Sequence, residues 1–399
     1  MGEAKSGFGF GKRPKADVQH RKHKQPRNCR QDRVNESEKV EGQRNGSGGR
    51  EGVGVSAKGS RGEAEGVERH SAKFGNIFAP DLQDVQIYHQ LSDFVASGPT
   101  VVTLGTFDGV HLGHQKLVAR AVAKARELGG TAVLLTLEPH PRKLIHPDFV
   151  LSRLTLPSER AELLATAGLD ALVEHPFTTE FAQTSSLDFV RRDLVGHLGM
   201  RHLIVGYDHR FGRNREGDFA QLQEYSHVFD FGLEQIEAVS AGEQVLSSTK
   251  IRSAVAEGRV SEAALALGRP HFVRGEVVSG RGIGRGLGYR TANVGGIHPD
   301  KAMPSFGVYA VELDFCDAEG PRGLAGVANY GVRPSFGSGS EPVLEVHLLD
   351  VEAQGYGRPV EVRFIDFIRA EQTFETPEAL KAQIARDVER ARATLAARR

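Results

Sequence analysis

From about Pro99 onward, short runs of branched apolar residues alternate with stretches whose apolar positions recur every three or four residues. "TVVTLG" (Thr100–Gly105) and "TAVLLTLEP" (Thr131–Pro139) are nearly continuous apolar runs. Runs of that kind predict strands buried on both faces. Between them, "HQKLVARAVAKAREL" (His114–Leu128) carries the helical period. "PSERAELLATAG" predicts a helix closed by Gly168, and "DALVEHPF" a strand. "SLDFVRRDLVGHLG" (Ser186–Gly199) predicts a helix ending in glycine, followed by a strand at "RHLIVGYD" (Arg201–Asp208). Strands alternating with helices predict βαβ units and a mainly parallel sheet. A helical stretch, Ser248–Gly268, closes this half.

After Pro270 the period changes to two. "HFVRGEVVSG", "FGVYAVELDF", "LAGVANYG", "PVLEVHLLD" and "VEVRFIDFI" are short alternating runs separated by Gly, Pro and Asp. Five or six strands at this spacing predict a small antiparallel barrel. "PEALKAQIARDVERARATLAARR" predicts a closing helix, with Glu371 and Glu378 near its start and arginines at its end, as the helix dipole prefers. Residues 1–75 show neither period. Rich in Gly, Lys, Arg, Glu, Gln and Asn, they cannot bury enough apolar area to offset chain entropy and are expected to be disordered.

At 399 residues the chain is long enough for two domains and a tail. A formal net charge of +0 gives no whole-molecule signal for nucleic acid or membrane. The segment Lys12–Arg33 is basic, but residues 1–75 also hold ten acidic residues and few aromatics to stack bases, so a nucleic-acid partner is not expected. No apolar run is long enough to span a bilayer, and the N-terminus lacks a secretory apolar core; a cytoplasmic protein is expected. Cys29 and Cys316 are the only cysteines, with no CxxC pair and no companion His at zinc spacing, so neither a disulfide framework nor a structural metal is expected.

The chemistry concentrates where predicted strands end. "TFDGVHLGH", "EPHPR" and "GYDHRFG" all lie just past strands, where parallel sheets place their ligand sites. His111 and His114, three apart at a strand-to-helix junction, can aim at one point. Gly109 and Gly113 let a ligand approach the backbone, and free N–H groups at the helix start favour phosphate. Such a constellation suits negative charge building on a phosphoryl group in transfer. Asp108 and Asp208 either line this site or cap local structure. In the second half, the loop holding Gly280, Gly282, Gly284, Arg285, Gly286 and Gly288 can wrap phosphates with main-chain N–H groups, although it lacks the Walker lysine.

"FDGVHLGH" resembles the HxGH signature of the nucleotidyltransferase superfamily, and "SSTKIR" (Ser247–Arg252) is similar to its second signature. HxGH alone leaves several members open, including transferases of other cofactors and aminoacyl-tRNA synthetases. "GEVVSGRGIGRGLGYRTANV" (Gly275–Val294), "MPSFGVYAVEL", "GVANYGVRPSFG", "LEVHLLD" and "FIRAEQTFETPEALKAQIARDVE" resemble the flavokinases in order and spacing. Together they resemble the prokaryotic bifunctional riboflavin kinase/FAD synthetase over about residues 85 to 395.

That resemblance implies an α/β fold: a Rossmann-like nucleotidyltransferase domain over 85–268 and a flavokinase barrel over 270–399. It implies riboflavin, FMN and ATP as substrates and Mg²⁺ as cofactor. His111 and His114 would act on the transferred adenylyl group, and Glu345 would be the general base taking the ribityl hydroxyl proton. Gly105, Phe107, Gly109, Gly113, Ser248, Thr249 and Arg252 would hold ATP in the first half, and Gly280 to Gly288 with Arg285, Thr291 and Asn293 in the second. Thr291 and Asn293 would also bind Mg²⁺. His140, Pro141, Arg142 and Asp208 would line the flavin site, with Arg213 and Arg215 near phosphate. The chain departs from the family's usual residues at Thr106, Glu138, His209 and Arg290; the last stands where proline precedes the threonine of the TAN motif. His347 is open between a neighbour of the site and an exposed residue.

Overall fold

Runs of Val, Leu and Ile interrupted by little but threonine favour burial, and in the first half they become interior strands. The computed structural model describes residues 85–145, 152–241, 244–280, 289–332, 342–351 and 355–398. The expected tail over 1–75 lies outside these residues, as do Gly282, Gly284, Arg285, Gly286 and Gly288.

Six parallel strands form the first sheet: β1 (Gln86–Tyr88), β2 (Thr100–Leu104), β3 (Thr131–Glu138), β4 (Ala171–Pro176), β5 (Met200–Gly206) and β6 (Gly232–Ile236). Their order is β1-β4-β3-β2-β5-β6. Every residue of β2 is buried, because β2 sits mid-sheet with helices across its faces. From β2 the chain winds outward through β3 and β4, then returns to lay β5 and β6 on the other side. The winding therefore reverses between β2 and β5, and a crevice opens beyond their carboxyl ends. Helix α1 (Leu112–Leu128) follows β2, burying Val118, Ala121 and Ala125 along one stripe. Small residues there let the helix lie close to the sheet. Helix α2 (Pro157–Thr166) precedes β4, and α3 (Phe219–Phe229) precedes β6.

A two-strand ribbon, β7 (Ser240–Ala241) with β8 (Gln244–Val245), leads into α4 (Ser248–Ala256) and α5 (Val260–Leu267). Six antiparallel strands then close into a barrel: β9 (His271–Val278), β10 (Ala292–Gly295), β11 (Gly307–Phe315), β12 (Leu324–Val332), β13 (Pro342–Leu348) and β14 (Pro359–Arg369). Round the barrel they run β10-β13-β12-β11-β14-β9. Alternate residues such as Val294, Leu344, Val346, Ala328 and Tyr309 fill the interior. Helix α6 (Pro377–Ala396) covers outward residues of β11, β12 and β14 with Ala391 and Leu395.

Buried charges join the two halves. The Lys301 ammonium, 1% exposed, lies 2.5 Å from Glu159, 2% exposed, and donates to the Leu154 carbonyl at 2.9 Å. Arg274 on β9 reaches Glu162 on α2 at 2.7 Å and Glu361 on β14 at 2.9 Å. Backbone bonds from Arg153 N–H to the Asp300 carbonyl and from Ala302 N–H to the Arg153 carbonyl add a short strand-like bridge.

Three local expectations change. Ser186–Gly199 is not a plain α-helix: Phe189–His197 winds as a π-helix, with Leu198 N–H bonding the Asp193 carbonyl five residues back. Ser248–Gly268 is two helices parted at Gly258. Glu371 lies six residues before α6 rather than in its first turn, its carboxylate resting against Gly331 of β12.

Burial lowers several histidines: His271 is pushed down to about 3, and His111 and His209 to about 4, from an ordinary 6.5. The unfolded chain takes up these protons as pH falls through 6.5, whereas the native protein does so only near 3 to 4. Stability is therefore complete above pH 6.5 and declines as pH drops toward 4. Each contributes up to roughly 1.4 kcal/mol per pH unit across that window. Melting temperatures recorded from about pH 7.5 to 4.5 should fall steadily; a flat profile would contradict this.

Candidate functional site

Immediately after β2 the chain makes a turn with three unusual backbone angles: φ is 47° at Phe107, 86° at Gly109 and 39° at Val110. A side chain on Gly109 would also strike Leu154, so glycine is required there twice over. The turn ends at His111, the N-cap of α1, whose Nδ1 accepts the His114 N–H at 3.3 Å. The rings of His111 and His114 stack at 3.6 Å with 16° between planes. Phe107, 1% exposed, covers the far side of His114 at 4.6 Å, and the His111 ring lies against Gly113.

Both rings are kept neutral. Burial lowers His111 to about 4, only partly opposed by Asp108 beside it. Burial, then the neighbouring His111 and Arg269, lower His114 well below its ordinary value. Because His111 Nδ1 accepts a hydrogen bond, its proton is on Nε2, free to donate. His114 Nδ1 is buried with no hydrogen-bond partner among the described residues.

Asp108 turns out to be a tie rather than a helix cap. One carboxylate oxygen accepts the Thr155 N–H at 3.0 Å, and the other accepts from Arg252 at 2.6 Å. The Ser248 hydroxyl donates to the Asp108 carbonyl at 2.8 Å, and Arg252 also reaches the Thr249 hydroxyl at 3.3 Å. The two signature segments, 140 residues apart, are thus knotted together at the start of α4. Gly105 directly follows β2, with its N–H on the Leu135 carbonyl of β3. His140 and Pro141 follow β3 on the adjoining strand end, where the short helix Pro141–Ile145 begins. Arg142 lies in that helix. Asp208 follows β5, on the other side of β2, and lines a cleft of about 510 Å³ with Tyr207, His209, Arg210, Arg215, Asp218, Phe219 and Ala220. Arg213 does not line it. All three post-strand segments therefore lie at the carboxyl ends of the neighbouring strands β3, β2 and β5.

The barrel brings a second set together. In register, Asn293 of β10 faces Glu345 of β13, which faces Asn329 of β12. Their neighbours Ala292, Val294, Leu344, Val346, Ala328 and Tyr330 point into the barrel, so these three share its outer surface. Gly280 lies against Asn293 so closely that a methyl group there would overlap the carboxamide. Thr291 directly precedes β10. Asn329 was missed from sequence: it sits inside "GVANYG", and only the strand register sets it beside Glu345. Arg269 was also missed. It donates to the carbonyls of Gly109 at 2.7 Å and Val110 at 3.3 Å, reaching the His111 turn from the end of α5.

Residues 95–250 match the family model of FAD synthetase, and residues 267–395 match that of riboflavin kinase. The bifunctional riboflavin kinase/FMN adenylyltransferase of Escherichia coli K12 is 39% identical over 301 residues, covering 75% of this chain and 93% of the relative. That of Pseudomonas fluorescens is 39% identical over 296 residues, 74% of this chain and 93% of the relative. The crystal structure of a protein described as a macrolide-efflux protein from Streptococcus pneumoniae superposes with a TM-score of 0.70 at 29% identity, covering 78% of this chain and 99% of that one. Among the described residues of the present chain, no helix is long and apolar enough to cross a membrane.

Arg252→Met should leave the Asp108 carboxylate buried with its charge unmatched. The expected cost is about 2–4 kcal/mol, since breaking a buried pair from one side is expensive. Denaturant unfolding would read this as a lower midpoint with unchanged slope. Arg252→Lys, which keeps the charge, should lose less; equal losses would mean the pair does not hold the turn.

Proposed function

The chain belongs to the bifunctional riboflavin kinase/FMN adenylyltransferase family, and from that premise we propose which of its residues carry each reaction. It phosphorylates riboflavin with ATP to give FMN and ADP, and it transfers AMP from ATP to FMN, giving FAD and pyrophosphate. Residues 85–268 form the adenylyltransferase half and 270–399 the kinase half in this reading.

In adenylyl transfer the FMN phosphate attacks the α-phosphorus of ATP, and the bond to pyrophosphate breaks. Negative charge grows on the α-phosphoryl oxygens. His111 and His114, neutral and stacked at the mouth of α1, offer N–H donors to that charge, together with the helix's own N-terminal amides. Ser248, Thr249 and Arg252 hold the ATP phosphates beside them, with Gly105, Phe107, Gly109 and Gly113 shaping the backbone of the cradle. His140, Pro141, Arg142 and Asp208, on the strand ends either side of β2, receive the flavin.

In phosphoryl transfer the ribityl hydroxyl attacks the γ-phosphorus, and Glu345 accepts its proton. Gly280, Gly282, Gly284, Gly286 and Gly288, with Arg285, enclose the nucleotide. The hydroxyl of Thr291 and the carboxamide of Asn293, beside the carboxylate of Glu345, are hard oxygen donors of the kind Mg²⁺ prefers. When bound, that ion supplies charge neutralisation for the phosphates. The single observation carrying this assignment is the strand register that sets Asn293 directly against Glu345, in the half matching riboflavin kinase.

Purified protein supplied with riboflavin, ATP and Mg²⁺ tests the division of labour, with FMN and FAD separated over time. His111→Ala and His114→Ala should each lower FAD formation by roughly 10²-fold or more while FMN accumulates. Glu345→Gln should lower FMN formation by about 10²–10⁴-fold and still adenylate added FMN. Loss of FMN formation in a histidine variant, or failure of Glu345→Gln to adenylate added FMN, would contradict separate sites. Gly280→Ala should also lose FMN formation, through displaced Asn293, with little change in melting temperature.

A further inference from the structure

We propose that His347 is a positioning residue for phosphoryl transfer: its ring N–H grips the backbone just before Thr291 and so fixes where that hydroxyl stands. The inference rests on the reading that Thr291, Asn293 and Glu345 form the kinase site. His347 lies two residues beyond Glu345 on β13, so both side chains leave the same face of the barrel. Its Nδ1 is 2.8 Å from the carbonyl oxygen of Arg290. A carbonyl only accepts, so Nδ1 must carry the proton. The ring also meets Tyr289 edge to face, with centroids 5.1 Å apart and planes at 88°.

The need for such a grip follows from the ladder. Strand β10 begins at Ala292, which pairs with Val346, and Asn293 pairs with Glu345. Cross-strand pairing therefore defines the backbone from Ala292 onward, and Thr291 lies one step before it. Arginine at 290 carries no ring to restrict its own φ, unlike proline. A contact from β13 onto the Arg290 carbonyl and the Tyr289 ring holds both residues leading into Thr291. One residue spans about 3.8 Å, so play at Arg290 passes almost undiminished to the Thr291 hydroxyl. Misplacement of a reacting group by about 1 Å can cost roughly 10²-fold in rate.

Two substitutions separate the hydrogen bond from ring packing. His347→Phe keeps an aromatic ring against Tyr289 and removes the N–H. His347→Asn removes the ring but sets an amide N–H near the former Nδ1. Steady-state kinetics of the full-length protein should show His347→Phe with a raised KM for ATP and kcat/KM for FMN formation reduced about tenfold. His347→Asn should remain within about threefold of the wild type, and both should adenylate added FMN normally. A purely structural role would reverse this order or leave KM unchanged while active protein falls. If His347→Phe does not accumulate as folded protein, His347→Ala takes its place in the same comparison. Wild-type FMN formation by the variant lacking the N–H, or equal loss in His347→Asn, would overturn the proposal. Glu345→Gln assayed alongside keeps the two readings apart: if it still makes FMN, the site reading falls. If it is inactive while His347→Phe is unaffected, only the positioning role falls.

Discussion

The turn that delivers His111 depends above all on one part-buried guanidinium. Phe107, Gly109 and Val110 all take positive φ, and for Phe107 and Val110 that conformation costs on the order of 1–3 kcal/mol each. Such a turn persists only where its surroundings fix it. Arg269 does so by donating to the carbonyls of Gly109 and Val110, and to Leu267 at the end of α5. Gln115 bonds the Val110 and Leu267 carbonyls from the other side, each at 2.9 Å. Burial pulls Arg269 down to about 10, which still leaves it charged at neutral pH. The residue joining α5 to the first barrel strand is therefore also the residue that shapes the histidine turn.

The rest of the contact between the halves has the same character. Lys301 and Glu159 are both removed from solvent, as an apolar pair could have been at less desolvation cost. What an ion pair adds is a single allowed register. Lys301 Nζ must meet Glu159 Oε2 and the Leu154 carbonyl at once, while packing over the Phe272 ring at 4.4 Å. His271 adds a contact of 2.7 Å from its Nε2 to the Ala302 carbonyl. These bonds leave the barrel little freedom to slide against α2.

Local periodicity made most of the framework legible. "TVVTL" reads as a strand because it is buried on both faces, and the barrel strands alternate because one face fills the interior. The edge strands β1 and β6 escaped notice because neither contains a fully buried residue to mark it. The π-winding at Phe189–His197 was equally hidden: Val190, Leu194 and Leu198 recur every four residues, which suits an α-helix as well as a wider turn. In the sites, His111 and His114 announced themselves by spacing within one turn. Arg269 could not, because its partners lie 159 and 160 residues away and a lone arginine carries no local signal. Asn329 and the grip of His347 on Arg290 depend likewise on strand register across the barrel.

The two sites differ because their nucleophiles differ. A flavin phosphate is already anionic at neutral pH, so adenylyl transfer requires no base; it requires donors for the charge that appears on the α-phosphoryl group. In the proposed assignment two imidazoles kept neutral by burial supply them, and the stacked His111 ring further disfavours charge on His114. The nearby carboxylate of Asp108 does not compete for the role of base, since Arg252 and Thr155 occupy both its oxygens. A ribityl hydroxyl is neutral and must shed its proton as it attacks. A carboxylate is the appropriate acceptor, and Glu345, the proposed base, stands half-exposed on the barrel's outer face, flanked by two asparagines that add hydrogen-bonding groups without adding charge. Under the proposed assignment, one half offers donors without a base and the other a base among neutral amides, which is what the protonation states of the two attacking oxygens demand.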